Sequence, residues 1–285
     1  MPNLKDLRRR IRATKSMQQI FKAMEMVAAA KLRRAQSRAA AASPYAAKIS
    51  EMLDNLAGAA SELEHPLFKV REVKKTALVV VTSDRGFAGA YNATLLRIVE
   101  QRLREAAPGS MVVVVVGRKG RDYLKRRGYP VLSAHTDLPG EASLDLARTL
   151  TRELIERFTN GEVDRVELMY NHFVSALVRR TQTEVFLPAG GGAPKSAGAD
   201  RGTIFEPDAE SIFAELLPRY TTAKLYAAMA DALASEHAAR MIAMGGARKN
   251  AGELVDSLTL TRNRMRQATI TKEIAELVGG AEALK

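Results

Sequence analysis

The sequence predicts a chain of mixed α+β and α/β character. A long antiparallel coiled coil is made by the N- and C-terminal helices, and an α/β domain with a mixed sheet lies between them in sequence. Three observations predict it. Apolar residues recur at three-then-four spacing through both ends, and valine-rich runs bounded by turn residues fill the middle. The hydrophobic content is 46%, yet aromatics are only 5% and Trp is absent. The apolar residues are therefore mainly alanine and aliphatic, a composition that favours long helices.

The first element, residues 1–60, carries the clearest pattern. Leu4, Leu7, Ile11, Thr14, Gln18, Phe21, Glu25, Ala28, Leu32, Ala35, Ala39, Ala42, Ala46, Ile49, Leu53 and Leu56 alternate steps of three and four. Such spacing is a heptad seam. Thr14, Gln18 and Glu25 are polar interruptions, as expected of a helix that changes partners along its length. Ser43 before Pro44 resembles a cap followed by a first helical position, so a kink or restart is expected there. The same segment holds most of the chain's charge excess: residues 1 to 48 contain twelve Lys or Arg against Asp6 and Glu25, 12 − 2 = +10 of the total +12.

The C-terminal element, residues 207–285, mirrors the first. From Asp208 to Leu277 it reads as helix, with Pro218 near its start and a seam through Met241, Met244, Ala247, Ala251, Leu254, Leu258, Thr261, Met265 and Ala268. Gly245, Gly246 and Gly252 each cost such a helix about 1 kcal/mol against Ala. Close approach of another backbone is the expected return. At 1.5 Å per residue the two helices would reach roughly 80 and 105 Å. A compact globule of this chain length is only about 50 Å across. An antiparallel coiled coil projecting from a globular middle is therefore expected.

The middle, residues 76–189, has another rhythm. "TALVVVTS", "MVVVVVG", "YPVLSA", "VDRVELMYNHFVS" and "TQTEVFLPA" read as strands, and the first four alternate with helix-like pieces at 90–107, 118–128 and 143–160. Val112 to Val116 suit a central strand covered on both faces. The domain is expected to be Rossmann-like with a mixed sheet. Residues 190–206, rich in Gly, Ala and Pro at the start, read as a linker or exposed loop.

The chemistry-bearing patterns are incomplete. "TSDRGFAGAYN", residues 82 to 92, follows a strand and opens a helix, but Gly86 and Gly89 supply only G-x-x-G, and no Walker lysine follows. "GRKGRD", residues 117 to 122, is incomplete in the same way. The four histidines, His65, His135, His172 and His237, lack zinc-helix spacing, and there is no cysteine to complete a metal site, a disulfide or a thiol switch. No G-x-S-x-G elbow occurs. No catalytic residue, cofactor, metal or nucleotide site is expected. The basic arm offers only Phe21 and Tyr45 as aromatics, which argues against nucleic acid. No apolar run approaches the roughly 20 residues of a membrane span, and the N-terminus lacks the apolar core of a secretory signal.

Four blocks carry a resemblance: "KAMEMVAAAKL" (22–32), "TSDRGFAGAYN" (82–92), "ASEHAARMIAM" (234–244) and "RQATITKEIAELVGGAEAL" (266–284). In matching order along nearly the whole chain, they closely resemble the gamma subunits of bacterial F-type ATP synthases. The resemblance implies a non-catalytic subunit of the proton-transporting complex, a central rotating stalk. Its coiled coil would stand inside a ring of three alpha and three beta subunits, and its α/β domain would sit near the membrane c-ring and the epsilon subunit. It would couple proton flow to conformational cycling of the beta subunits, at the cytoplasmic face of the bacterial membrane. By similarity, Arg266 and Gln267 would touch a beta subunit, with Thr271 and Glu273 further along. Met24 and Arg240 would meet an acidic lever of beta. "IFEPDAESIF" (204–213) resembles the foot on the membrane ring and epsilon, with Phe205 and Glu206 as contacts.

Overall fold

A computed structural model describes residues 3–59, 66–189 and 209–282. The element order is α1 (Leu4–Ala59), a 3-10 turn (Pro66–Phe68), β1 (Thr76–Val81), α2 (Tyr91–Glu105), β2 (Met111–Val116), α3 (Arg118–Arg126), β3 (Val131–His135), α4 (Leu144–Thr159), β4 (Arg165–Phe173), β5 (Arg179–Leu187) and α5 (Ala209–Glu282). The chain divides into two compact units: Met1–Ala28 with Met241–Lys285, and Ala29–Arg240. Each long helix thus contributes to both.

In the unit Ala29–Arg240 the sheet order is β3-β2-β1-β4-β5. β1 pairs in parallel with β2 and β4, β2 with β3, and only β5 runs antiparallel, against β4. The valine runs explain the centre. Every β1 residue is buried, and its side chains alternate between two cores. Leu78 and Val80 join Leu95, Leu96, Val99 and Leu124 from α2 and α3. Ala77, Val79 and Val81 join Leu150, Leu154 and Phe158 from α4, with Leu217 and Leu225 from α5. Two crossovers carry the chain outward from β1 to β3, and α4 then returns it to the other side of β1. The direction of winding therefore reverses between β1 and β4, the place where α/β folds of this kind open a ligand crevice.

In the unit made from the chain ends, α1 and α5 run antiparallel. Glu25 pairs with Arg248 at 2.8 Å, while Gln18 lies against Gly252 and Arg262 shares a groove with Arg8, Ile11 and Lys15. Leu7, Ile11, Thr14 and Ala28 are buried on α1, and Met244, Ala251 and Val255 on α5. Thr14 is accommodated because its hydroxyl donates to the Arg10 carbonyl.

Two details depart from the expected patterns. Leu254 is 50% exposed, and its neighbour Val255 takes the buried position. Both residues are apolar, so spacing alone does not separate a step of three after Ala251 from a step of four. Thr261 and Ala268 are likewise exposed. The second departure is at Ser43 and Pro44, where α1 continues without restarting. α5 likewise continues through Pro218, after which Thr221 and Thr222 donate their hydroxyls back to helix carbonyls.

Candidate functional site

The turn after β1 lies where a Rossmann-like domain would place a phosphate, and the chain's own groups fill that place. Asp84 is the central residue: the Arg118 N–H donates to its Oδ1 at 2.7 Å, and the Leu138 N–H donates to its Oδ2. The Lys119 N–H donates to the Ser83 carbonyl at 3.0 Å, and the Gly120 N–H to Thr82 Oγ1 at 3.0 Å. The free amides at the start of α3, which would otherwise form an anion site, are thus already bonded to a carboxylate, a carbonyl and a hydroxyl. The two glycines of "GRKG" have another use. A Cβ on Gly117, whose φ is 102°, would stand 2.4 Å from the Thr82 carbonyl oxygen, and one on Gly120 would stand 2.8 Å from Thr82 Oγ1. They let α3 close onto β1.

The crevice between β1 and β4 is filled as well. The buried Tyr91 hydroxyl donates to the Ala232 carbonyl of α5 at 2.9 Å, and Asn171 Nδ2 donates to the Tyr91 carbonyl at 3.1 Å. Burial pushes the Tyr91 phenol well above its ordinary range, so it stays a protonated donor.

Arg240 is committed within the chain. Its Nε and Nη2 donate to the Gly86 carbonyl at 3.3 and 3.2 Å, its Nη2 pairs with Glu236, and its Nη1 lies 3.3 Å from His237 Nδ1. Its side chain is only 12% exposed. Burial raises the Glu236 carboxyl above its ordinary value against the pull of Arg240. Burial, Arg240 and Lys31 lower His237 to about 4. His237 is therefore neutral, with Nδ1 accepting, because a guanidinium has nothing but donors to offer. The loop that Arg240 holds carries Phe87, which is 69% exposed at a φ of 60°.

The C-terminal part of α5 has the opposite character. Every residue from Arg266 to Ala281 is exposed, including Arg266, Gln267, Thr271 and Glu273. None of these four makes a hydrogen bond or ion pair with any described residue. Beside them Ile270, Ile274, Leu277 and Val278 form an exposed stripe at helical spacing, 47 to 74% accessible. The spacing of this stripe is visible in the sequence, whereas the left-handed backbone of Phe87 is announced by no pattern. Met24, on α1, is half-buried. Phe205 and Glu206 lie outside the described residues.

Residues 3–284 match the protein family described as ATP synthase. The chain is 47% identical, over the full length of both, to the ATP synthase gamma chain of Moorella thermoacetica. The chain belongs to the ATP synthase gamma chain family. A relative from Desulforamulus reducens, also an ATP synthase gamma chain, is 45% identical over the same full span. Among solved structures, a chain from the central stalk and c-ring of the Tetrahymena thermophila mitochondrial ATP synthase is similar with a TM-score of 0.64 and 26% identity, covering 80% of this chain and 99% of that one.

Proposed function

We propose that this chain is the central rotating stalk of an F-type ATP synthase, coupling proton flow through the membrane ring to conformational cycling of the catalytic beta subunits. The single observation that carries the reading is the unpartnered end of α5. An exposed apolar stripe next to free polar groups is a surface made for a partner, and full-length relatives at this identity are ATP synthase gamma chains.

The mechanism follows from symmetry. One stalk inside a ring of three alpha and three beta subunits presents a different face to each beta subunit. Each contact stabilises the conformation it fits better, and only differential affinity shifts such an equilibrium. Turning the stalk permutes those conformations. Arg266, Gln267, Thr271 and Glu273 would touch beta from the exposed end of α5. Met24 and Arg240 would act near an acidic lever of beta, Arg240 by fixing the loop at Gly86. Phe205 and Glu206 would belong to the foot on the c-ring and epsilon subunit. The basic surplus of α1 suits acidic partner surfaces.

The functional segments would be residues 1–60 and 207–285 as shaft, 76–189 as the α/β domain and 190–206 as linker and foot. The chain would perform no catalysis itself, since the amides and crevice that a nucleotide would use are bonded internally. As part of such a complex the chain would sit peripherally at the cytoplasmic face of the bacterial membrane; among the described residues no helix is long and apolar enough to cross one. Co-expression with alpha and beta subunits tests the reading: one copy per three beta, with ATPase activity that depends on the chain, is the expected result. Failure to enter that complex would refute it.

A further inference from the structure

The unit Ala29–Arg240 contains a pocket of about 200 Å³. Lys31, Arg34 and Arg38 reach it from one face of α1 at i, i+3 and i+7, opposite the Gly140–Glu141 turn, with His237 of α5 at its wall. The geometry points to a binding site for a small free oxyanion of the phosphate class.

Charge balance is the first argument. Glu141 is paired with Arg38, and Glu236 with Arg240. Lys31 and Arg34 make no hydrogen bond or ion pair with any described residue. Two cations therefore line one pocket without an ion pair, although Lys31 also acts at longer range on the Glu236 carboxyl.

The second argument is construction. Gly140 adopts a φ of 73° and exposes bare backbone, so that the Lys31 ammonium comes within 3.4 Å of where a Cβ would stand. Ala35 and His237 are 7% and 3% exposed, which closes the inner side. His237 stays neutral there chiefly because it is buried, and Arg240 and Lys31 further oppose a positive charge. An anion beside Lys31 would relieve that opposition.

Size is the third. Sites for drug-sized ligands run from about 300 to 1,000 Å³. A pocket of 200 Å³ takes a tetrahedral oxyanion with a few waters and excludes a nucleotide or a helix.

The test uses the purified full-length chain, with inorganic phosphate as the probe and potassium chloride at matched ionic strength as the control. Acylation of Lys31 by an amine reagent is followed by mass spectrometry, with Lys125 on exposed α3 surface as internal reference. Phosphate should slow Lys31 acylation saturably, at least about five-fold, and leave Lys125 unchanged. Arg34→Gln should raise the half-protecting phosphate concentration about ten-fold, and the His237 ring should titrate above 4 when phosphate is present. Equal protection by chloride, or unchanged protection in Arg34→Gln, would overturn the site. The assay is repeated in the assembled complex with alpha and beta subunits. Phosphate-dependent protection there supports a free ligand, whereas Lys31 already unreactive without phosphate means that a partner's group fills the pocket and the inference fails.

Discussion

Glu25 on α1 and Arg248 on α5 meet at 2.8 Å, and a Cβ on Gly245 would stand 3.1 Å from the same Glu25 carboxylate. A polar seam position is thus answered by one cation and one missing side chain on the facing helix. The two charged side chains are 28% and 44% exposed, so the pair fixes register more than it adds stability. A double-mutant cycle with Glu25→Ala and Arg248→Ala should give a coupling of about 0.5–1 kcal/mol that declines with salt. A coupling several times larger, insensitive to salt, would contradict this.

The neighbouring glycines separate by environment. Gly246 has nothing within 4 Å of an added Cβ, so Gly246→Ala should raise stability by about 0.5–1 kcal/mol. Gly252 faces Gln18 Nε2 at 2.9 Å. Gly252→Leu must displace that side chain and part the helices, at a cost of about 1–3 kcal/mol. Denaturant midpoints of the two variants should move in opposite directions.

Asp84 joins the start of α3 to the turn at Leu138. Removing it leaves the exposed Arg118 amide to water and the part-buried Leu138 amide without its acceptor, so Asp84→Ala should cost about 1–2 kcal/mol, and Asp84→Asn less because one oxygen remains. Hydrogen exchange at Arg118 and Leu138 should quicken in the alanine variant. Unchanged protection there would show that the carboxylate is not what closes the helix start.

His237 predicts a pH dependence whose sign is fixed. Its folded value, about 4, lies below the ordinary 6.5. Between those limits the unfolded chain binds more protons, so stability rises with pH. The contribution is complete above 6.5 and is lost as pH falls toward 4. Glu236, raised by burial, acts in the opposite sense at the lower end. Melting curves from pH 7 to 4 should therefore show a loss that His237→Gln reduces. An unchanged slope in that variant would contradict the assignment.

Arg266 and Gln267 are exposed and make no hydrogen bond or ion pair with described residues, so changing either should spare the isolated fold. Arg266→Ala should lower turnover of the assembled complex about ten-fold, equivalent to about 1.4 kcal/mol. Gln267→Leu should act in the same direction, with assembly and nucleotide affinity retained. Turnover equal to that of the unaltered complex would remove both from the contact.

The sequence was most informative where one period dominates. Every described member of the α1 seam from Leu4 to Ile49 is buried or half-buried, and the five strands lie where the valine-rich and β-branched runs stand. It was ambiguous where adjacent residues are alike, as at Leu254 and Val255. It was silent where a role depends on tertiary approach. Nothing in "SDRG" says that Asp84 reaches the amides of α3, thirty-four residues away. Arg240, which the resemblance sets against an acidic lever of beta, is folded onto Gly86 and Glu236 within this chain. The glycines of "GRKG" read only as an incomplete phosphate turn, and nothing in the sequence says that Thr82 occupies the space they leave.

The most direct test is rotation itself. The chain has no cysteine, so Lys125→Cys provides a single attachment point for a bead, with the alpha and beta subunits anchored to a surface. On adding ATP the bead should turn in one direction, in threefold steps. Full ATP hydrolysis with a stationary bead would contradict the account.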